Sequence, residues 1–460
     1  MGGMYSKVLS GAALGTLALA GSAHAEPWRL QEALHAPKGL TLSGSYRVRY
    51  EYLDGQFRAG ASGTDQILVE RLLLGAEYDF GGFYLGAELQ DSRAQLEDSG
   101  TPLGTDDVDT FELLRGYVGW RGKGVFTPND KLDLAVGRLT IDLGTRRLVA
   151  RNQFRNTANN YTGAHLSWSS GKTDVNAFFV LPVDRRPSDF DGLESSAVDL
   201  DEENTHVRFW SIYAHRKGLI GDIEGDLYLF GLQESDRPEL STTDRNLYTP
   251  GLRLFRKPKK GQWDFELESA VQTGNSALSR AAAAPRLEHL AHFHHAQVGY
   301  SFAAAWKPRL VLEYDFASGD RDPTDGRNGR FDTLFGARRF DFGPTGIFGP
   351  LARSNLNAPG WRFTARPLEK VAVLLGHRAA FLAAGRDVLT TAGVRDASGA
   401  SGNGIGHEFE SSVRWDVLPG NLQLEFGASY LAKGRFLREA PNASPDGDSF
   451  YSYSSVMLSF

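Results

Sequence analysis

From Leu40 to Tyr52 the chain alternates between apolar and polar residues. Leu40, Leu42, Gly44, Tyr46, Val48, Tyr50 and Tyr52 fall to one side, and Thr41, Ser43, Ser45, Arg47, Arg49 and Glu51 to the other. A period of two puts successive side chains on opposite faces, so this segment reads as a strand between an oily and a wet environment. The pattern recurs over 66–79, 83–93, 111–120, 131–139, 163–169, 173–182, 207–215, 223–233, 247–256, 262–273, 292–303, 308–317, 360–366, 369–382, 406–416, 422–432 and 449–460. Eighteen strands are predicted, an even number, as single-chain bacterial barrels require.

The connections carry a second regularity. Short ones (80–82, 121–130, 169–172, 216–222, 257–261, 304–307, 367–368, 417–421) alternate with long ones (54–65, 94–110, 140–162, 183–206, 234–246, 274–291, 318–359, 383–405, 433–448). Outer-membrane barrels have short periplasmic turns and long outward loops, whereas a soluble sandwich has no reason to keep such parity. Trp120, Trp168, Trp263, Trp306 and Trp415 all lie beside short turns, as an interfacial girdle would. Lys38, Lys123, Lys131, Lys172, Lys217, Lys257, Lys259, Lys260, Lys307 and Lys370 gather on the same side. The fold expected is therefore all-β: one transmembrane antiparallel barrel of about 18 strands over 26–460, in the outer membrane of a Gram-negative bacterium.

Only the N-terminus breaks the pattern. Lys7, the apolar run Val8–Ala20 and Ala23-His24-Ala25 read as an export signal over residues 1–25 cleaved before Glu26. No later apolar run approaches the roughly 18 residues of a membrane helix. The chain has no Cys, which removes thiolate and disulfide chemistry. It ends on Val456, Leu458 and Phe460 at alternate positions, a terminal strand suited to the outer-membrane assembly machinery. Lipid and lipopolysaccharide are the surroundings expected, the barrel is read as a monomer, and no nucleic-acid partner is expected.

Candidate chemistry is sparse. His289, His292, His294 and His295 cluster at a rim, with His292 and His294 on one strand face as a conceivable metal pair. Asp320 to Gly326 is acidic without the spacing of an EF-hand; structural calcium there is an option, and no cofactor is otherwise expected. No G-x-S-x-G or comparable nucleophile motif occurs, so an enzyme is disfavoured.

The arginines are the informative charges. There are 38 Arg to 12 Lys, although the net charge is −6. Arg47, Arg49, Arg71, Arg115, Arg253 and Arg414 are predicted to point inward. Arg146, Arg147, Arg151 and Arg155 crowd the third long loop against a single acid, Asp142, and Arg338 and Arg339 stand in the seventh. Guanidinium groups fork onto carboxylates and phosphates, and rings of basic side chains are how pores favour anions. Inward acids such as Glu77, Glu88, Glu266 and Glu313 could equally pair with the wall arginines.

Two stretches resemble the alginate export family of outer-membrane porins: Gly137–Gly163, GRLTIDLGTRRLVARNQFRNTANNYTG, and Ser318–Phe335, SGDRDPTDGRNGRFDTLF. Glu88–Arg93 and Arg386-Asp387 are weaker matches. Phe154, Tyr161-Thr162-Gly163 and the stretch Gly336–Arg339 depart from the family pattern. The resemblance implies an 18-stranded monomer whose arginine-rich region passes an anionic polysaccharide, and it carries Arg147, Arg151 and Arg155 over as pore residues. The expectation is a passive channel for an acidic glycan such as alginate or for small organic anions. A small-solute uptake porin and a barrel closed by its seventh loop are the alternatives.

Overall fold

A computed structural model describes residues 26–98, 100–236, 241–281 and 283–460; the expected export signal lies outside them. The barrel strands are β1 (Leu40–Asp54), β2 (Thr64–Asp79), β3 (Phe83–Gln95), β4 (Asp109–Lys123), β5 (Lys131–Leu139), β6 (Tyr161–Ser170), β7 (Thr173–Asp184), β8 (Val207–Ile220), β9 (Ile223–Glu234), β10 (Asn246–Arg256), β11 (Gln262–Ala277), β12 (Arg286–Ser301), β13 (Arg309–Ala317), β14 (Leu356–Leu368), β15 (Val371–Phe381), β16 (Gly404–Leu418), β17 (Leu422–Lys433) and β18 (Ser449–Ser459). Each pairs antiparallel with its neighbours. Asp54↔Phe450 to Ser45↔Ser459 joins β1 to β18 and closes the ring. All eighteen expected strands are present; most edges lie within two residues of expectation, the largest departures being β12, which starts six residues earlier, β8, which runs five residues further, and β11 and β14, each four residues longer at one end. Closure leaves no strand edge in lipid, where an unpaired backbone group has no water to bond.

Along β1 the burial is inverted relative to a soluble strand. Arg47, Arg49 and Glu51 are buried, whereas Tyr50, on the other face, is exposed. The exposed large residues form an outward apolar surface that includes Leu85, Val118, Ile212, Leu227, Leu312, Trp361, Phe409 and Leu458. The seam is closed by the last residue: the N–H of Gly44 bonds to the Phe460 carbonyl at 2.8 Å, and the N–H of Phe460 returns to Gly44 at 2.9 Å. Trp28 packs on the Phe460 ring at 5.9 Å.

The inward face is less uniformly wet than alternation implies. Leu53, Ile67, Val69, Phe209, Phe230, Leu232 and Phe293 of the wall pack against Ile141, Leu148, Val149, Phe331, Phe342 and Phe348 of the long loops. The loops 140–160 and 318–355 are therefore folded into the barrel and supply part of an interior apolar core. They also grip each other. The N–H of Phe335 bonds to Leu148 O, that of Ala150 to Phe335 O, and that of Ala337 to Arg146 O, at 3.0, 3.1 and 2.9 Å. Gly336 lets them approach, since a Cβ there would lie 1.8 Å from the Arg147 carbonyl oxygen.

Candidate functional site

The wall arginines of β1 and β2 hold the third-loop backbone rather than standing free. Arg47 donates to the carbonyls of Gln153 (2.8 Å) and Arg155 (2.9 Å) and to Asn156 Oδ1 (3.2 Å). Arg71 donates to the same two carbonyls, and Arg49 to that of Phe154. Asn156 completes the clamp, its amide reaching the carbonyls of Glu70 (2.9 Å), Arg93 (3.1 Å) and Asp107 (2.8 Å). Hydrogen bonds to a charged donor are worth about 1.5–3 kcal/mol each, so this segment is firmly seated. Glu51 fastens the seventh loop in turn, accepting from Arg49 (2.7 Å), Tyr451 (2.8 Å) and the N–H of Ile347 (3.0 Å).

A second knot centres on Asp341, in the short helix Arg339–Phe342. Its carboxylate accepts from Arg147 at 2.9 and 3.0 Å and from Arg353. Arg147 also bonds Glu266 and Glu268 of β11, the latter at 2.6 Å. The Asp341 carbonyl accepts from Arg362 at 3.0 Å and from Arg378, which binds Glu313 (2.6 Å) and Asp315 (2.9 Å). Two loops and four strands thus meet around one buried residue, Asp341.

This corrects one sequence expectation. The third-loop arginines are not left without acids, because β3, β11 and two other loops provide them. Besides Arg147, Arg151 forks onto Glu88 at 2.6 and 2.9 Å, and Arg155 pairs with Asp106 at 2.6 Å. Arg115 lies 3.6 Å from the same Glu88 and over Tyr117, and Arg253 bridges Asp226 (3.0 Å) and Glu266 (2.8 Å). Arg339 bonds Glu410 at 2.5 Å and Tyr453 at 3.2 Å. Among the described residues Arg338 has only the carbonyls of Gly349 (3.1 Å) and Leu351 (3.4 Å) as hydrogen-bond acceptors, and Arg414 is exposed.

Cavities lie on either side of the gripped loops. One side has two, of about 520 and 470 Å³. Arg155, Arg338 and Thr391 line both; Arg245 and Arg330 line the first, and Arg58 and Arg185 the second. On the other side are spaces of about 360 and 200 Å³ that share Arg339, Arg414 and Glu425. Lys307 and Arg366, beside short turns, line the larger; Arg47, Arg49 and Phe154 line the smaller. Sequence neighbours therefore face different chambers: Phe154 inner and Arg155 outer, Arg339 inner and Arg338 outer. The two dipeptides therefore stand between the cavities, and we refer to them as the septum. Phe154 is held there by Arg49 at 4.2 Å, Arg339 at 5.1 Å and an edge contact to Tyr453 at 5.5 Å.

The outer chamber is lined by Arg58, Arg155, Arg185, Arg245, Arg330 and Arg338 and by the acids Asp106, Asp107 and Asp332. Burial first, then the like charges of Arg155 and Arg58, push the Arg338 guanidinium down to about 9, so it remains charged at neutral pH with part of its charge unanswered. Burial opposes the charge of Asp106, yet Arg155 and Arg185 hold its carboxyl below the usual range. Burial, then Asp106 and Glu51, raise Asp107 to about 7.

The other sequence candidates lie elsewhere. His292 and His294 share an outward face, 2.9 Å apart, with His294 also 2.7 Å from Ser269 Oγ. His289 and His295 turn inward to Gln272 (2.9 Å) and Asp315 (2.8 Å). In the acidic loop, Asp322 accepts from Thr324 and Asp325 from the N–H of Arg327, so these acids serve their own turns. Sequence reasoning missed Asp341, Asn156, Arg58 and Arg185, whose sequence neighbourhoods carry no signal of a lumen contact.

No curated protein matches the chain. Its fold is similar to solved Pseudomonas aeruginosa structures. OccK8 (OprE) has a TM-score of 0.57 at 11% identity, covering 92% of this chain and 98% of that one. OpdO has 0.57 at 14%, covering 92% and 97%. OpdK with vanillate has 0.54 at 12%, covering 91% and 99%. The sequence profile described as alginate export matches residues 39–448. With nearly the whole barrel inside that match, the chain belongs to the alginate export family, an 18-stranded barrel of the Gram-negative outer membrane.

Proposed function

We propose that this barrel is a passive channel for anionic solutes, an acidic polysaccharide such as alginate or small organic anions. One observation carries the reading: the septum places Arg155 and Arg338 toward the outer chamber and Arg339 toward the inner one. An anion crossing it would meet guanidinium groups on both sides. Arg414 extends the positive lining inward; Arg47 and Arg49 line the same space while held by loop carbonyls and, for Arg49, by Glu51. Arg71, Arg115, Arg147, Arg151 and Arg253 then serve by shaping the path, since acids or loop carbonyls already occupy them. Nearby acids such as Asp106 and Glu425 would keep binding weak enough for release, as conduction requires. Channel function rather than catalysis accords with the family and with the absence of a nucleophile motif.

The remaining assignments follow the same reading. Residues 1–25 direct export and are removed. The Phe460 strand is recognised during barrel assembly, and the monomer sits among lipid and lipopolysaccharide. In planar bilayers under a salt gradient, the reversal potential should indicate anion preference; cation preference rejects the proposal. Liposome swelling should be faster with oligouronates than with neutral oligosaccharides of equal size, and equal rates would make this a general porin. The packed septum also favours a second reading, a closed structural barrel, for which conductance would be zero.

A further inference from the structure

At the loop end of β4 three acids meet, and none of them is among the residues that line the chambers. Phe111 takes a φ of 54° and the register of β4 against β3 slips between Gln90 and Ser92. The irregularity turns Asp109 and Glu112 to the same buried side while Phe111 points out. Asp201, from the loop 185–206, comes beside them. Oxygens from the three carboxylates all lie within 4.8 Å of one another, and the residues are 0%, 2% and 7% exposed.

Their partners satisfy only part of this group. Glu112 accepts from Arg138 and from the N–H of Asp201 at 2.9 Å. Asp109 Oδ2 accepts from Gln90 at 2.6 Å, and Asp201 Oδ1 from the N–H of Arg186 at 2.8 Å. Asp109 Oδ1 and Asp201 Oδ2 are buried without a partner. A third orphan belongs to a neutral side chain: the Oε1 of Gln90, a 1% exposed residue whose amide already touches Asp109. Among the described residues no basic group lies within ion-pair distance of Asp109 or Asp201. Arg138 divides its single charge between Glu112 and Glu203, the latter at 2.7 Å. Bare carboxylate oxygens sealed from water need a compensating cation or proton.

We infer that Asp109, Glu112 and Asp201 bind one hard divalent cation, calcium, which ties the loop 185–206 to the barrel wall. Oxygens on opposite sides of a calcium ion stand about 4.6–5.2 Å apart, and these donors, all within 4.8 Å of one another, are close enough to share one ion. All three are hard oxygen ligands, and two positive charges answer the excess that one shared guanidinium leaves.

The test uses the detergent-purified protein, stripped with EGTA and titrated with CaCl2, with MgCl2 as comparison. Bound calcium is read by elemental analysis, and protection of residues 185–206 by hydrogen exchange. One calcium per chain and calcium-dependent protection of that loop are expected. Asp109→Asn and Asp201→Asn should each lower the affinity at least about tenfold and abolish that protection. Failure of the parent to retain calcium overturns the inference, and that measurement stands even if a variant does not assemble. Equal retention by an Asp109→Asn/Asp201→Asn double variant overturns it as well, placing the ion elsewhere. A double variant more stable than a calcium-indifferent parent would show that a shared proton, not a metal, joins the pair.

Discussion

Asp341→Ala is the sharpest probe of the septum. The side chain is buried and accepts three hydrogen bonds from two guanidinium groups, Arg147 and Arg353. Its loss leaves Arg147 its bonds to Glu266 and Glu268, but Arg353, 1% exposed, keeps only the carbonyls of Ala337 (2.7 Å) and Arg147 (3.4 Å). Removing one partner from a buried ion pair costs about 3–5 kcal/mol, because the remaining charge stays in the low-dielectric interior. At 1.4 kcal/mol per tenfold, the balance between packed and released loop shifts by roughly a hundredfold to a thousandfold or more. The wall strands do not depend on this carboxylate, so the barrel should still assemble. Single-channel recordings should show larger and more variable conductance. Hydrogen exchange should quicken in residues 335–341 while β1 and β18 remain protected. Unchanged conductance together with unchanged exchange would refute the claim that Asp341 anchors the loops that narrow the lumen.

Three further outcomes follow from named contacts. Gly336→Ala drives a Cβ against the Arg147 carbonyl, so it should prise the two loops apart and raise conductance without touching a charge; a silent variant would show that the backbone yields there. Asp107 is raised to about 7, above its unfolded range near 4, so the folded state holds an extra proton between those limits. Stability should therefore fall as pH rises from about 4 to 7. As the group ionises through neutrality the outer chamber gains a negative charge, so anion preference should decline from pH 6 to 8, and Asp107→Asn should flatten that profile in reversal-potential measurements. Arg338→Glu together with Arg339→Glu should weaken or invert anion selectivity, since it places acids on both sides of the septum; an unaltered reversal potential would put the ion path elsewhere.

The strand count, its parity of short and long connections and the lipid-facing positions were legible along the chain, because they follow from a period of two imposed by the pleat and from closure imposed by lipid. The inward direction of Arg47, Arg49, Arg71 and Arg253 was legible for the same reason. What those arginines do was not. Arg47 and Arg71 bond carbonyls about 80 to 110 residues away, and Asp341 collects guanidinium groups from two loops through its carboxylate and two more, from β14 and β15, through its carbonyl. Alternation says which face a side chain takes; it says nothing about which distant loop descends to meet it. The third loop looked like an unneutralised cluster because its acids lie on β3, β11 and other loops, joined only by folding. Charge sorted by face is a local property and can be read from the sequence. Charge left over after pairing is a sum over long-range contacts, and only the tertiary structure performs it: among the described residues Arg47, Arg58, Arg71 and Arg338 bond only neutral acceptors, whereas Arg147 and Arg151 are answered by distant acids.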